Sequence, residues 1–217
     1  MPAKYADESV LENLQLEPAT TYLLSALDAA TNERIVAESG NTPEIGPREL
    51  LFGVPEAAVI NAAFTHSGPF GGRFHSAGRG AWYAGVRLRT SQAEVAYHRL
   101  RFLRDSEIDE PVASEYQDFV ADLWGNFHRL SRTKDSAYLQ PEPVPQCYRP
   151  GQALAQKLLA EGFGGIVYPS ARDPEGTCIA CFRPALVTSP RRGDLLELSA
   201  DPVTGKCRWK KLFSPAP

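Results

Sequence analysis

The stretch GQALAQKLLAEGFGGIVYPSARDPEGTCIACFRP, residues 151–184, decides how this chain folds. Its first part, GQALAQKLLAEGFGG, reads as a helix that stops at Gly162, because glycine tolerates the left-handed conformation that ends helices. GIVYPS follows as a short strand running into Ser170. ARDPEGT has turn chemistry, and CIACFRP is the return strand.

Working outward, residues 7–16 read as a short helix with Val10, Leu11 and Leu14 on one face. TTYLLSAL from Thr20 reads as a strand, followed by a polar loop. PEAAVINAAFTH from Pro55 is a helix, with proline suited to its first turn. AWYAGVR is a strand and TSQAEVAYHRLRFLR a helix whose apolar stripe is Ala93, Ala96, Tyr97 and Leu100. In residues 115–131, Tyr116, Phe119, Leu123, Phe127 and Leu130 fit helical spacing. Gly125-Asn126 between two apolar runs is also a hairpin signal, and strands are the reading adopted. LQPEPVPQCYRP is a loop, and two more strands fall near 194–199 and 206–212. No internal repeat is present. The pattern predicts a single α+β domain over residues 1–217, with a mixed, mostly antiparallel sheet and flanking helices.

The bulk properties narrow the function. The chain has 217 residues, 43% hydrophobic and 23% charged, with a formal net charge of -3. An acidic balance does not give the electrostatic footprint of direct nucleic-acid binding. Arg73, Arg79, Arg87, Arg89, Arg99, Arg101 and Arg104 form a local basic region that would suit phosphates on a small ligand or an acidic partner. A solvated helix face accounts for most of them. No run approaches the ~18 apolar residues of a membrane span. The opening MPAKYADESVLENLQL has no apolar core of a signal peptide, so a cytoplasmic protein is expected. Cys178 and Cys181 form a CxxC, but on a strand residues three apart face opposite ways, so no shared metal is expected there. His66, His75, His98 and His128 are dispersed and form no metal motif.

A second stretch, GGRFHSAGRGAWYAGVRLRTSQAEVAYH (71–98), carries the chemistry. Gly71 and Gly72 would let backbone approach a ligand closely. Arg73 follows, and a guanidinium grips phosphate oxygens in a geometry lysine lacks. Tyr83, inside a strand, is either a core aromatic or a ring stacked on a flat heterocycle with its hydroxyl free to hydrogen-bond. Ser91-Gln92-Ala93-Glu94 matches a capping box, which alone would account for Glu94. A carboxylate so placed would also stabilise positive charge developing on a sugar carbon, or activate a nucleophile. Ser170 ends a strand; no G-x-S-x-G elbow surrounds it, so it is not read as a hydrolase nucleophile.

Taken together, GGRFHSAGRGAWYAG, SQAEVAYHR and GQALAQKLLAEGFGGIVYPSARDPEGTCIACFRP resemble the RES-domain family, named for its Arg, Glu and Ser. The resemblance spans residues 71–184; residues 1–70 match no motif. It places the family's arginine on Arg73, tyrosine on Tyr83, glutamate on Glu94 and serine on Ser170. It implies a fold like that of ADP-ribosyltransferase toxins, NAD as substrate, no metal, and an Xre-like antitoxin protein as partner. Members deplete NAD by hydrolysis or phosphorolysis, and some ADP-ribosylate a protein. Two departures stand out. TTYLLSA lacks the arginine that many members carry in their first strand, and Thr177-Cys178 stands where members often have Asn.

On that resemblance, the expected activity is cleavage of the nicotinamide–ribose bond of NAD by a toxin of a toxin–antitoxin pair. Glu94 would face the sugar carbon, Arg73 hold phosphate, Tyr83 shape the nicotinamide pocket, and Ser170 with Gly72 contact the dinucleotide. The alternatives are a protein ADP-ribosyltransferase using the same residues and a catalytically inactive interaction module.

Overall fold

The computed structural model describes residues 1–3, 17–38 and 44–215. Its elements in chain order are α1 (Pro18–Thr31), α2 (Glu33–Glu38), α3 (Ala57–Thr65), β1 (Trp82–Gly85), α4 (Leu88–Asp105), β2 (Val112–Leu123), β3 (Phe127–Arg129), α5 (Arg149–Ala160), β4 (Gly165–Pro169), β5 (Thr177–Cys181), β6 (Val187–Ala200) and β7 (Cys207–Phe213). The class is α+β in one domain, as the sequence predicts, but the strands form two sheets rather than one. One has the order β1-β5-β4-β3 and the other β2-β6-β7. All pairs are antiparallel except β3 with β4.

The deciding stretch folds as read. On α5, Gly151, Ala155 and Leu158 are buried, a spacing of one and two turns that lays one stripe on the sheet. Gly162 takes φ +88 and its N–H closes on the Leu159 carbonyl, while Phe163 N–H closes on Leu158. β4 and β5 then pair from Gly165↔Cys181 to Pro169↔Thr177 around the 170–176 turn.

The four-stranded sheet is covered on both faces. On one, Leu158 and Ala155 of α5 pack on Ile166, Tyr168, Cys178 and Ala180, with Phe74 inserted from the loop before β1. On the other, Val59, Ile60 and Phe64 of α3 pack on Trp82, Cys181 and Val187. Cys178 and Cys181 thus fall in different clusters on opposite faces, as strand alternation requires. A third cluster, Leu103, Leu198 and Ala200 with Leu100 and Trp209, seats the C-terminal half of α4 on the second sheet. Helix α4 therefore joins the sheets, its first turns beside β1 and its last on β6.

Four expectations are corrected. TTYLLSAL is helical, within α1: the β-branched and aromatic run suggests a strand, but Pro18 sets the first turn and it pairs with no strand among the described residues. The Gly125-Asn126 hairpin does not form; β2 and β3 are strands, but they enter different sheets. β6 begins at Val187 rather than near 194, because Ser189-Pro190 and Gly193-Asp194 are accommodated opposite β2 as bulges. The α4 stripe is Ala96, Leu100 and Leu103; Tyr97 turns away toward Arg172 and Glu142. The expected helix at 7–16 lies outside the described residues. Among those residues, no helix is long and apolar enough to cross a membrane.

Candidate active site

Along α4 runs a cleft of about 900 Å³, walled by the 69–75 loop, β1, the floor residues Tyr168 and Cys178, and the 144–148 segment. The volume lies within the range of small-molecule and cofactor sites. Arg73, Tyr83, Gly72 and Glu94 all line it; Ser170 does not.

Glu94 sits in the second turn of α4, not at its N-terminus. The helix starts at Leu88 with Arg87 before it, so Glu94 caps nothing and the capping-box reading fails. Ser91 serves β1 instead: its Oγ accepts the Gly85 N–H at 2.9 Å. The Glu94 carboxylate is half-buried. Its Oε1 accepts the Ser170 hydroxyl at 2.5 Å, with the Cys178 thiol at 3.9 Å. No partner of Oε2 is found among the described residues, which leaves that oxygen for a ligand.

Ser170 was expected at a ribose and is instead fully buried behind the acid. Its Oγ accepts the backbone N–H groups of Arg172 at 3.1 Å and Asp173 at 2.9 Å while donating to Glu94. With both lone pairs occupied by fixed donors, its proton points at the carboxylate. Asp173 ties the same turn to α4 by accepting the Thr90 hydroxyl at 2.7 Å. Thr90 and Glu94 are four residues apart, on one helix face, so the helix is clamped to the turn where the carboxylate emerges.

Arg73 is carried by a loop that is itself pinned. Phe74 is buried and packs edge-on to Tyr168 with ring centroids 4.8 Å apart. Truncating a core phenylalanine of this kind costs about 3–5 kcal/mol. The Phe74 N–H donates to the Tyr83 hydroxyl at 2.9 Å, and His75 Nδ1 lies 3.1 Å from the same oxygen. Tyr83 is 39% exposed, and its hydroxyl is engaged, not free as expected. Burial pushes this phenol up, and burial pushes the His75 imidazole down. Gly72 also acts differently from expectation. A Cβ there would meet the His75 ring at 2.4 Å, so the missing side chain makes room for the imidazole as well as for a ligand. Gly71, at φ +66, turns the chain just before it.

The guanidinium of Arg73 donates Nη1 to the Tyr138 and Gln140 carbonyls and stacks over Tyr148, leaving Nε and Nη2 without partners among the described residues. Arg172 donates to the Pro141 carbonyl and lies near Glu142, and Arg101 donates to the Val144 carbonyl. Three cleft arginines thus bind carbonyls of one proline-rich segment, 138–145, which reaches the cleft at Val144 and Pro145 and is its lip. Of the basic region noted in the sequence, Arg73, Arg99 and Arg101 face the cleft. Arg79 pairs with Glu49, Arg89 with Glu175 and Asp173, and Arg104 binds the Pro202 carbonyl. Arg172, Tyr148, Tyr168 and Cys178 join the site without having been singled out for it. Adjacency to Ser170 was the one available signal for Arg172. The charged side chains lining the cleft are four arginines against two carboxylates, Glu94 and Asp105. That excess suits a dianionic ligand.

A family model described as RES domain matches residues 50–201, more than the 71–184 that the motifs span. No curated protein matches the chain.

Proposed function

The chain belongs to the RES domain family, and from that membership and the cleft we propose that it cleaves the nicotinamide–ribose bond of NAD. The observation that carries this reading is Glu94: one oxygen fixed by a buried serine, the other open to a cleft with excess positive charge. In NAD the scissile bond joins a cationic pyridinium to a ribose carbon. As it breaks, the bonding pair leaves with nicotinamide, which departs neutral, and positive charge develops on the sugar as in glycoside cleavage. A strong general acid is unnecessary; a preorganised carboxylate beside the sugar carbon is what the transition state needs. Water or phosphate then adds at that carbon and gives up a proton.

Arg73, with two donor nitrogens open, would hold pyrophosphate oxygens, and Arg101 and Arg172 add to the field. The exposed Tyr83 ring and the Cys178 floor would shape the nicotinamide end. Ser170 acts through Glu94, as a positioning residue. We further propose that the protein is the toxin of a toxin–antitoxin pair, silenced by an Xre-like partner closing the mouth of the cleft. Incubation of the purified chain with NAD, with and without phosphate, should release nicotinamide. Unchanged NAD in the presence of folded protein would overturn the reading. Label from NAD retained on a protein in a lysate would make a side chain the acceptor.

A further inference from the structure

The cleft continues past the residues given roles above. It follows α4 from Glu94 to Phe102, about 12 Å by helix rise, and reaches Arg99, Asp105 and Tyr116 of β2. Arg99 differs from the other cleft cations. Arg73, Arg101 and Arg172 each bind a carbonyl of the lip. Arg99 makes no hydrogen bond or ion pair among the described residues, and its Nε is buried without an acceptor. Asp105, the acid at this end, is committed to Arg101 at 3.2 Å. Beside Arg99, with Cζ 5.4 Å from the ring centroid, stands Phe102, 56% exposed. Tyr116 is held behind them, edge-on to Trp209.

An exposed ring and a guanidinium lacking an acceptor, distal to the acid, describe a nucleoside subsite that expects an anion. With the scissile ribose at Glu94 and the pyrophosphate between, the adenosine half of a dinucleotide falls here. A carboxylate at the adenosine ribose accepts from a 2′-hydroxyl, whereas an arginine accommodates a 2′-phosphate. Here the carboxylate is paired and the arginine is open. We propose that this end of the cleft is a 2′-phosphate subsite and that the phosphorylated dinucleotide NADP is a substrate of the same site. The placement rests on the reading of Glu94 as the carboxylate at the scissile sugar. The reaction is unchanged: nicotinamide leaves with the bonding pair, water adds at the ribose carbon and loses a proton, and 2′-phospho-ADP-ribose results.

The test separates the subsite from the chemistry. Calorimetry on the full chain compares adenosine 2′,5′-bisphosphate with adenosine 5′-monophosphate. The bisphosphate should bind at least about tenfold more tightly, as a charge-assisted contact to phosphate predicts. Arg99→Met should abolish that preference. Arg99→Lys, which keeps a point charge without the planar fork, should retain part of it and serves if the methionine variant does not fold. Equal binding by the parent chain, binding of neither nucleotide, or a full preference in the methionine variant overturns the subsite. So does cleavage of NAD with NADP left intact. Preference for the bisphosphate with neither dinucleotide cleaved would instead overturn the catalytic reading and leave the subsite standing.

Discussion

The hydroxyl of Ser170 donates to Oε1 of Glu94 across 2.5 Å, joining residues seventy-six positions apart. The serine is fully buried, and its hydroxyl oxygen also accepts two backbone N–H groups of its own turn. The carboxylate is therefore oriented from behind by a group that does not line the cleft.

Ser170→Ala removes one donor to Glu94 and the acceptor of two N–H groups. Leaving buried donors unsatisfied costs about 1–3 kcal/mol. The variant should unfold at lower urea concentration, and kcat for nicotinamide release should fall while KM stays close to the parent value. Parent kcat in a folded variant would remove the positioning role.

Glu94→Gln keeps the size and one carbonyl oxygen for Ser170 but deletes the charge. Loss of a preorganised electrostatic contact of this type costs about 10²–10³ in kcat. The thermal midpoint should change little, since the cleft-facing oxygen has no protein partner among the described residues. A variant cleaving NAD at the parent rate would exclude Glu94 as the catalytic group.

Tyr83→Phe preserves the ring and deletes the oxygen that receives the Phe74 N–H. The cost should be about 1–2 kcal/mol in stability. The arginine loop loosens, so KM for NAD should rise more than kcat falls. Steady-state kinetics on the variant decide this; a change confined to kcat would place the hydroxyl in the chemistry.

Alkaline pH should destabilise the fold. Burial, then the charge of Glu94, pushes the Cys178 thiol from its ordinary value of 9.0 up to about 12. Burial also pushes Tyr168 and Tyr83 up. The unfolded chain loses these protons first, so the stability they contribute is intact below pH 9 and declines as pH rises toward 12. One such thiol contributes a slope of at most about 1.4 kcal/mol per pH unit. Urea midpoints from pH 8 to 10.5 should fall for the parent chain and fall less steeply for Cys178→Ala. Parallel curves would contradict the burial argument.

Much of the site was legible because its residues sit in short, ordered motifs. Arg73, Tyr83 and Glu94 could be named from the sequence, and all three line one cleft. The capping box misled because Ser91 has two possible uses, and folding spends it on Gly85. Ser170 read as a ligand contact at a strand end because nothing local reveals that its turn is packed against α4. Tyr148, Tyr168 and Arg172 were silent for the same reason: each enters the cleft from a segment whose neighbours are decided by sheet order. The helix α5 and the β4–β5 pair were readable because their signals, a 3.6-residue stripe and glycine punctuation, are local. The long β2–β6 ribbon was not, because Pro190 and Gly193 look like breaks until a partner strand absorbs them as bulges.

The lip over the cleft has a further consequence. Pro141, Pro143 and Pro145 bring no amide protons, so that segment cannot knit itself into a ladder. Four of its carbonyls, those of Tyr138, Gln140, Pro141 and Val144, find their donors in Arg73, Arg101 and Arg172. Three of the four arginines that charge the cavity are thus also the rivets of its rim. Cavity charge and the anchoring of its edge are therefore coupled: neutralising one of these arginines also unfastens the edge.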